Sequence, residues 1–280
     1  MPQDQQPLSD STVPQFFVSG REVNELARDV QSLAVEEHGG GMKSLQCELT
    51  AVGPEDGARD EQLLYLDGRI VDFGSELKLS MGPRSAAQTV FEGKLSALEL
   101  AMEQGREPHV RIYAEDKLMD LRLTRRFKTY ENVSDADLLQ QIASQHGLSA
   151  QADAQGPTYK SVQQWNQSDL AFLRARARRL QADLWLDGST LHMATRDARN
   201  GNRITLIQGN DLLAVEIRAE LAHQRASVVG GGYDADAKDA IDEEAAASVA
   251  AGETSGLRAG AELLQSAFGE RAAYRSFDVP

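Results

Sequence analysis

Residues 45–51 read Leu45-Gln46-Cys47-Glu48-Leu49-Thr50-Ala51, with apolar and polar side chains in strict alternation. A period of two puts one set on each face of an extended chain, so this stretch is a half-buried β-strand. The same grammar recurs outward from it. Leu77, Leu79 and Met81 alternate with Lys78 and Ser80. Val110, Ile112 and Ala114 alternate with Arg111 and Tyr113, and Leu121 and Leu123 with Arg122 and Thr124. Upstream, a short helix is expected near Glu22–Arg28, then a strand to about Glu37, with His38-Gly39-Gly40-Gly41 turning the chain. Turn clusters separate the runs: Gly53-Pro54-Glu55-Asp56-Gly57, Asp67-Gly68, Gly82-Pro83 and Gly105-Arg106-Glu107-Pro108. Short strands punctuated in this way predict an antiparallel barrel or sandwich over residues 16–127. Residues 1–15 are polar, contain Pro2, Pro7 and Pro14, and read as a flexible arm.

The pattern changes near Lys128. Ser134 is a good N-cap, with Asp137 at the capping-box position and Val133 and Leu138 placed to staple the helix entry. That helix runs through Leu139, Ile142 and Ala143 to His146 and Gly147. A second helix is expected with Asn166 as cap, Asp169 at N3 and a Trp165–Leu170 staple. Its apolar stripe is Leu170, Leu173, Ala177 and Leu180, and Arg174, Arg176, Arg178 and Arg179 fall elsewhere on it. Leu184-Trp185-Leu186, an Asp187-Gly188 turn and Leu191-His192-Met193 form a hairpin. Residues 128–204 are thus a small α+β segment. Strand grammar returns over residues 205–280. Leu213, Val215, Ile217, Ala219 and Leu221 alternate with more polar positions, and Ala226-Ser227-Val228-Val229 ends in Gly230-Gly231-Gly232. Residues 234–265 read as an exposed acidic, Ala-rich loop with short helices. Too few strands remain to complete a barrel there, so the natural product is expected to continue past Pro280.

The 280 residues carry 29 Lys and Arg against 43 Asp and Glu, a formal charge of −14 that disfavours a nucleic-acid-binding surface. Hydrophobic residues at 41% suffice for a core. No run approaches the ~20 apolar residues of a membrane span, and the N-terminus lacks the basic and apolar regions of a signal peptide. Cys47 is the only cysteine, which excludes an intrachain disulfide and a Cys-based zinc site. A soluble, acidic, multidomain protein of a reducing compartment is expected.

His38-Gly39-Gly40-Gly41 looks like a lipase oxyanion loop, but no Gly-x-Ser-x-Gly elbow accompanies it, and a turn is the better reading. His38, His109, His146, His192 and His223 share no metal-ligand spacing. Asp135-Ala136-Asp137 and Asp234-Ala235-Asp236, the latter running on to Glu243 and Glu244, lack the central Gly of a calcium loop. Neither glycine triplet leads into a P-loop Lys-Ser/Thr, so both read as turns. Arg125, Arg126 and the arginines of the second helix are the only basic clusters, read as a charged outer face. No catalytic, cofactor-binding or metal residue emerges, and the chain reads as a non-catalytic β-rich scaffold. A peptidoglycan hydrolase would need paired carboxylates in a cleft. A receptor-binding module would need exposed aromatics, whereas Trp165 and Trp185 fall in elements read as packed.

Five motifs in order carry a family resemblance: Phe91-Glu92-Gly93-Lys94-Leu95; Val110-Arg111-Ile112-Tyr113-Ala114-Glu115-Asp116; Tyr130-Glu131-Asn132-Val133-Ser134-Asp135 leading to His146-Gly147-Leu148; Gln163-Gln164-Trp165-Asn166-Gln167-Ser168-Asp169-Leu170-Ala171-Phe172-Leu173; and Val228-Val229-Gly230-Gly231-Gly232-Tyr233-Asp234. Over roughly residues 16–245 the chain resembles the phage late control protein D family. This family includes baseplate hubs of contractile tails, the hub part of type VI secretion spikes, and hubs of extracellular contractile injection systems. The resemblance implies a mainly β fold: two similar antiparallel β-barrels, the second incomplete here, flanking a small α+β insertion. It also implies a homotrimeric, pseudo-hexameric adaptor between an inner tube ring and a spike protein or C-terminal spike domain, touching other baseplate proteins. Such a hub is assembled in the bacterial cytoplasm and becomes part of the particle, with no cofactor, no specific nucleic acid and no membrane span.

Overall fold

The computed structural model describes residues 13–54, 61–83, 86–154, 156–195, 204–210, 212–234, 237–246 and 258–276. Most of the expected N-terminal arm, residues 1–12, lies outside the described residues, as do Asp236 and residues 247–257 of the expected acidic loop. The chain divides into two compact units, Met1–Thr195 and Arg196–Pro280. The fold is mainly β, as the alternating runs predict.

The first unit holds two hydrophobic cores. Around the first are β1 (Gln15–Val18), β2 (Arg21–Glu22), α1 (Asn24–Asp29), β3 (Val30–Glu37), β4 (Lys43–Thr50), β5 (Val52–Pro54), β6 (Glu61–Leu63), β7 (Glu76–Met81), β8 (Gln88–Ala101) and β9 (His109–Glu115). Seven of these strands form one antiparallel sheet in the order β2-β1-β7-β8-β9-β4-β3. The alternation fixes which face is inside: Leu45, Cys47, Leu49, Leu77, Leu79, Val110, Ile112 and Ala114 are all buried. Phe16 and Val18 from β1 and Val30 and Leu33 from β3 pack on the same core, so the sheet coils round its own interior. The edge strands β2 and β3 are joined by α1, whose Leu26 is fully buried, so a helix sits where hydrogen bonds would otherwise close the barrel. The Tyr65 hydroxyl pins that helix by donating to the Glu25 carbonyl at 3.1 Å and to the Asp29 carboxylate.

The second core lies among α2 (Leu118–Leu123), β10 (Arg125–Val133), α3 (Asp135–Gln145), β11 (Ser149–Ala152), β12 (Tyr159–Ser168), α4 (Asp169–Arg179), β13 (Ala182–Asp187) and β14 (Thr190–Thr195). β10 and β12 form an antiparallel ribbon, and β11-β14-β13 is a mixed sheet containing the expected β13–β14 hairpin. α3 carries the expected capping box: Ser134 Oγ accepts from the Asp137 N–H at 3.2 Å, and Asp137 accepts from the Ser134 N–H at 2.9 Å. Gly147 follows the helix at φ +67°, the left-handed conformation that ends a helix without a Cβ clash.

Two expectations in this segment are corrected. Leu121–Thr124 is not a strand. Leu118 and Leu121, three apart, are buried on one face of α2, and the Leu118 N–H donates to Asp116 at 2.9 Å. α4 is capped by Ser168 rather than Asn166, because β12 stays paired with β10 as far as Ser168. Trp165 is therefore a strand residue, not a helix staple.

The two cores are tied by the β3–β4 hairpin. Its tip, read correctly as a turn, docks on α4: Arg174 donates to the Gly40 carbonyl at 2.6 and 3.1 Å, and Met42 packs on the second core. Gly41 lies at φ +78°, with the Leu184 carbonyl where a Cβ would go. Just behind the tip, Asp116 accepts from the Lys43 N–H at 2.9 Å.

The second unit contains β15 (Ser227–Asp234), β16 (Asp239–Ala246), α5 (Gly260–Phe268) and β17 (Ala272–Ser276). Its sheet runs β16-β15-β17, antiparallel on one side of β15 and parallel on the other. Gly230-Gly231-Gly232 is not a turn. It lies in the central strand, facing Glu243, Asp242 and Ile241. Residues 239–246, read as loop, form β16 because β15 supplies a template that the low strand propensity of Asp-Ala-Ile-Asp-Glu-Glu does not reveal. The strand expected over 212–221 does not form. Apart from a bridge at Leu212, the segment has no ladder partner among the described residues.

Candidate interaction surface

The residues singled out for chemistry do not converge. His38 is exposed beside the hairpin tip, His192 stacks on Trp185 at 4.9 Å, and His223 is exposed. His109 is buried with Nε2 3.9 Å from Glu48, and that nitrogen has no hydrogen-bond partner among the described residues. Among the described residues no three His, Cys, Asp or Glu side chains are grouped to hold a metal ion. Asp135 is buried in an ion pair with Arg176, Asp137 caps α3, and Glu243 and Glu244 lie exposed on β16. The arginines of α4 are not one outer face: Arg176 is buried, and Arg174 holds the hairpin tip.

Clefts open on the first unit, two of them well defined among the described residues. One, about 270 Å³, lies between β1, α1 and the Gly82-Pro83 turn. The other, about 250 Å³, is lined by Lys43, Phe91, Glu92, Asp116 and Asp187 among others. The Asp116 oxygens in the second are engaged by the backbone N–H groups of Lys43 and Leu118. Burial pushes this carboxyl above its ordinary range despite those two donors.

A dense polar network sits under the β10–β12 ribbon. Asp169, buried at the start of α4, accepts from Arg126 Nε at 3.0 and 3.1 Å and from Gln164 at 2.8 Å, and contacts His146 Nε2 at 2.8 Å. Burial alone would raise its carboxyl, but the bonds from Gln164, His146 and Arg126 outweigh it and hold the group below the usual range. Gln164 also accepts from the Tyr130 hydroxyl at 3.0 Å. The network joins α3, α4, β10 and β12, and fixes the ribbon's inner face.

The outer face is the unexpected feature. Phe127 and Trp165 are register partners, each 70% exposed, with rings 5.7 Å apart meeting edge to face at 79°. Leu123 is also exposed just before β10. The ribbon carries four cations, Arg125, Arg126, Lys128 and Lys160, against one carboxylate, Glu131. Arg126 is occupied by Asp169, while Arg125 and Lys160 are exposed and form no ion pair among the described residues. In sequence, the neighbours of Trp165 fit a helix entry equally well, which is why it reads as packed. Strand parity was the available signal: Val162 and Gln164 point inward, so Gln163 and Trp165 point out.

In the second unit, Leu213 and Ile217 are 96% and 87% exposed, and Ile204, Leu206 and Val215 are also exposed. The apolar alternation is real in sequence, but no described strand covers it.

Residues 18–269 match the sequence family described as the Alg8 N-terminal domain. The chain belongs to that family. It is a different family from late control protein D, which the ordered motifs resemble. This member of the Alg8 N-terminal domain family shares its fold with solved tail proteins. The 43 kDa tail protein of prophage MuSo2 from Shewanella oneidensis aligns at TM-score 0.64 with 11% identity, over 96% of this chain and 74% of its own. A tail protein from Neisseria meningitidis aligns at 0.59 with 12% identity, over 96% and 72%. Prophage tail protein gp18 from Listeria monocytogenes aligns at 0.50 with 11% identity, over 94% and 72%. No curated protein sequence matches the chain. At these identities the likeness establishes the fold of this Alg8 N-terminal domain, and fold alone does not fix function.

Proposed function

We propose that this chain is a non-enzymatic structural protein of a phage tail or related contractile injection particle, and that within it the chain is the baseplate hub. Three copies form a ring that joins a hexameric inner tube on one side to a trimeric spike on the other, in contact with further baseplate proteins. The hub is assembled in the bacterial cytoplasm and needs no cofactor, metal or membrane span.

The observation that carries this reading is the likeness to the MuSo2 tail protein over 96% of the chain. Free strand edges support it, because β3, β16 and β17 each lack a partner on one side among the described residues. Exposed edges are liabilities that an assembled ring covers. The charge of −14, where it lines a lumen, repels polyanions and acidic cargo rather than trapping them.

Light scattering on the full chain, alone and with purified inner tube and spike proteins, tests the assembly. A trimer is expected in the mixture. A monomer that persists with both partners present overturns the hub. Clearing of peptidoglycan in a zymogram overturns the non-enzymatic part.

A further inference from the structure

We propose that the outer face of the β10–β12 ribbon is a docking site for an acidic, extended segment of a protein partner, which adds to a free ribbon edge and lays its apolar residues against Phe127 and Trp165. Three observations converge on this occupant. First, among the described residues the ribbon has only two strands, so each has an unpaired edge, and a two-stranded ribbon is the form that gains most from a third strand. Second, Phe127 and Trp165 expose large apolar area on a backbone that the Asp169 network holds rigid beneath, as in an interface anchor. Third, the cations are complementary to carboxylates. In a chain of net −14, Arg126 is engaged by Asp169 and Lys128 lies over the Tyr130 ring, while exposed Arg125 and Lys160, with no ion pair among the described residues, stand against the ribbon's one carboxylate, Glu131.

The face does not suit the other ligands that aromatics and cations recognise. Successive nucleic-acid bases stack on separate ring faces, but here the two rings meet edge to face at 79° and form no shared platform. The same crossing leaves no flat double ring for a sugar. An extended segment whose alternate residues are Val or Ile at the centre and Glu towards the ends meets both demands at once, because a period of two puts these residues together on the aromatic face.

The test uses the full chain and a fluorescein-labelled nine-residue peptide with Val and Ile at its central odd positions, Glu at its terminal odd positions and Thr between them, read by anisotropy. Binding is expected, weakening as salt rises, and falling at least tenfold in Trp165→Ala and in Arg125→Glu. Both side chains are exposed, so the melting curves of these variants should match the parent. Phe73→Ala, an exposed aromatic outside the ribbon, should bind like the parent. No binding by the parent, or equal binding of the same peptide with Lys for Glu, overturns the proposal. So does tighter binding of an oligo-dT strand, which would assign the face to nucleic acid. Self-association that Trp165→Ala abolishes would give the face to a second copy and overturn it too. The inference does not rest on the hub reading: a monomer that binds the acidic peptide keeps the one and loses the other.

Discussion

Arg176 grips Asp135 with two hydrogen bonds, Nε to Oδ1 at 2.5 Å and Nη2 to Oδ2 at 3.1 Å, where the two side chains are 6% and 0% exposed. The guanidinium also lies 4.3 Å from the Tyr159 ring centroid. The pair locks the start of α3 to the middle of α4, so it orders the second core as a unit. Its isolated worth is small, because desolvating two charges offsets most of their attraction. Removing one partner is different, since the other charge stays buried alone. Asp135→Ala is expected to cost about 3–5 kcal/mol in urea unfolding. Asp135→Leu combined with Arg176→Met should recover most of that loss. If the double variant is no more stable than the single, the pair is not the origin of the cost.

The hairpin tip makes a sharper local test. Gly41→Ala places a Cβ against the Leu184 carbonyl at a positive φ. The backbone conformation alone costs about 1–3 kcal/mol for a non-glycine residue, and the collision adds to it. Gly39→Ala, with open space around it and no positive φ, is the control and should fall within about 0.5 kcal/mol of the parent. Equal melting temperatures for the two variants would mean the tip does not dock on the second core in solution.

Much of this architecture was legible in sequence, for identifiable reasons. Leu45, Cys47 and Leu49 carry a period of two that only a half-buried strand satisfies, and Ser134 with Asp137 spells a capping box locally. What could not be read depends on partners far along the chain. Whether Leu121–Thr124 is helix or strand is decided by Asp116 and the second core. Whether Gly230–Gly232 turns or runs straight is decided by β16 and β17. The ribbon face failed for a related reason. Trp165 satisfies a helix-staple pattern equally well, and it is the pairing of β12 with β10 that selects the strand parity turning its ring outward.

Two buried carboxylates pull the acid stability in opposite directions. Asp169 sits below its ordinary 3.8, so its stabilisation is complete above that value and is lost as pH falls below 3.8 through the folded-state pKa. Asp116 sits above 3.8, so the unfolded chain ionises it first, and its cost appears as pH rises from 3.8 through the folded-state pKa. Urea unfolding followed over roughly pH 2.5–6 separates them. Asp169→Asn should flatten the acid-side decline below 3.8, and Asp116→Asn should remove a decline above it. Curves parallel to the parent in both variants would show that neither carboxylate is held as described.

Leu173 tests the phase of α4. Fully buried on its inner stripe with Leu170 and Ala177, it has no room for a hydrated charge. Leu173→Asp should cost several kcal/mol, about what an unpaired buried charge demands. An unchanged melting curve would contradict the packing of α4 on the second core.

Cys47 reports on the first core from within. It is fully buried in β4, opposite Leu33 of the edge strand β3 and Ile112 of β9, and burial with the neighbouring Glu48 charge pushes its thiol up to about 12. Thiol reagents attack the thiolate, so the folded protein should resist Ellman's reagent, and the single cysteine makes any signal unambiguous. Reactivity should appear only as urea opens the chain. Its dependence on urea then says which opening exposes the sulfur. If labelling follows the global unfolding curve, β3 leaves β4 only when the whole core is lost. If it begins at low urea with a shallow slope, β3 peels away locally while the rest of the sheet stays folded. The packing of Val30 and Leu33 on the same core as Phe16 and Val18 predicts the first outcome. Rapid labelling in the absence of urea would contradict the burial of Cys47 itself.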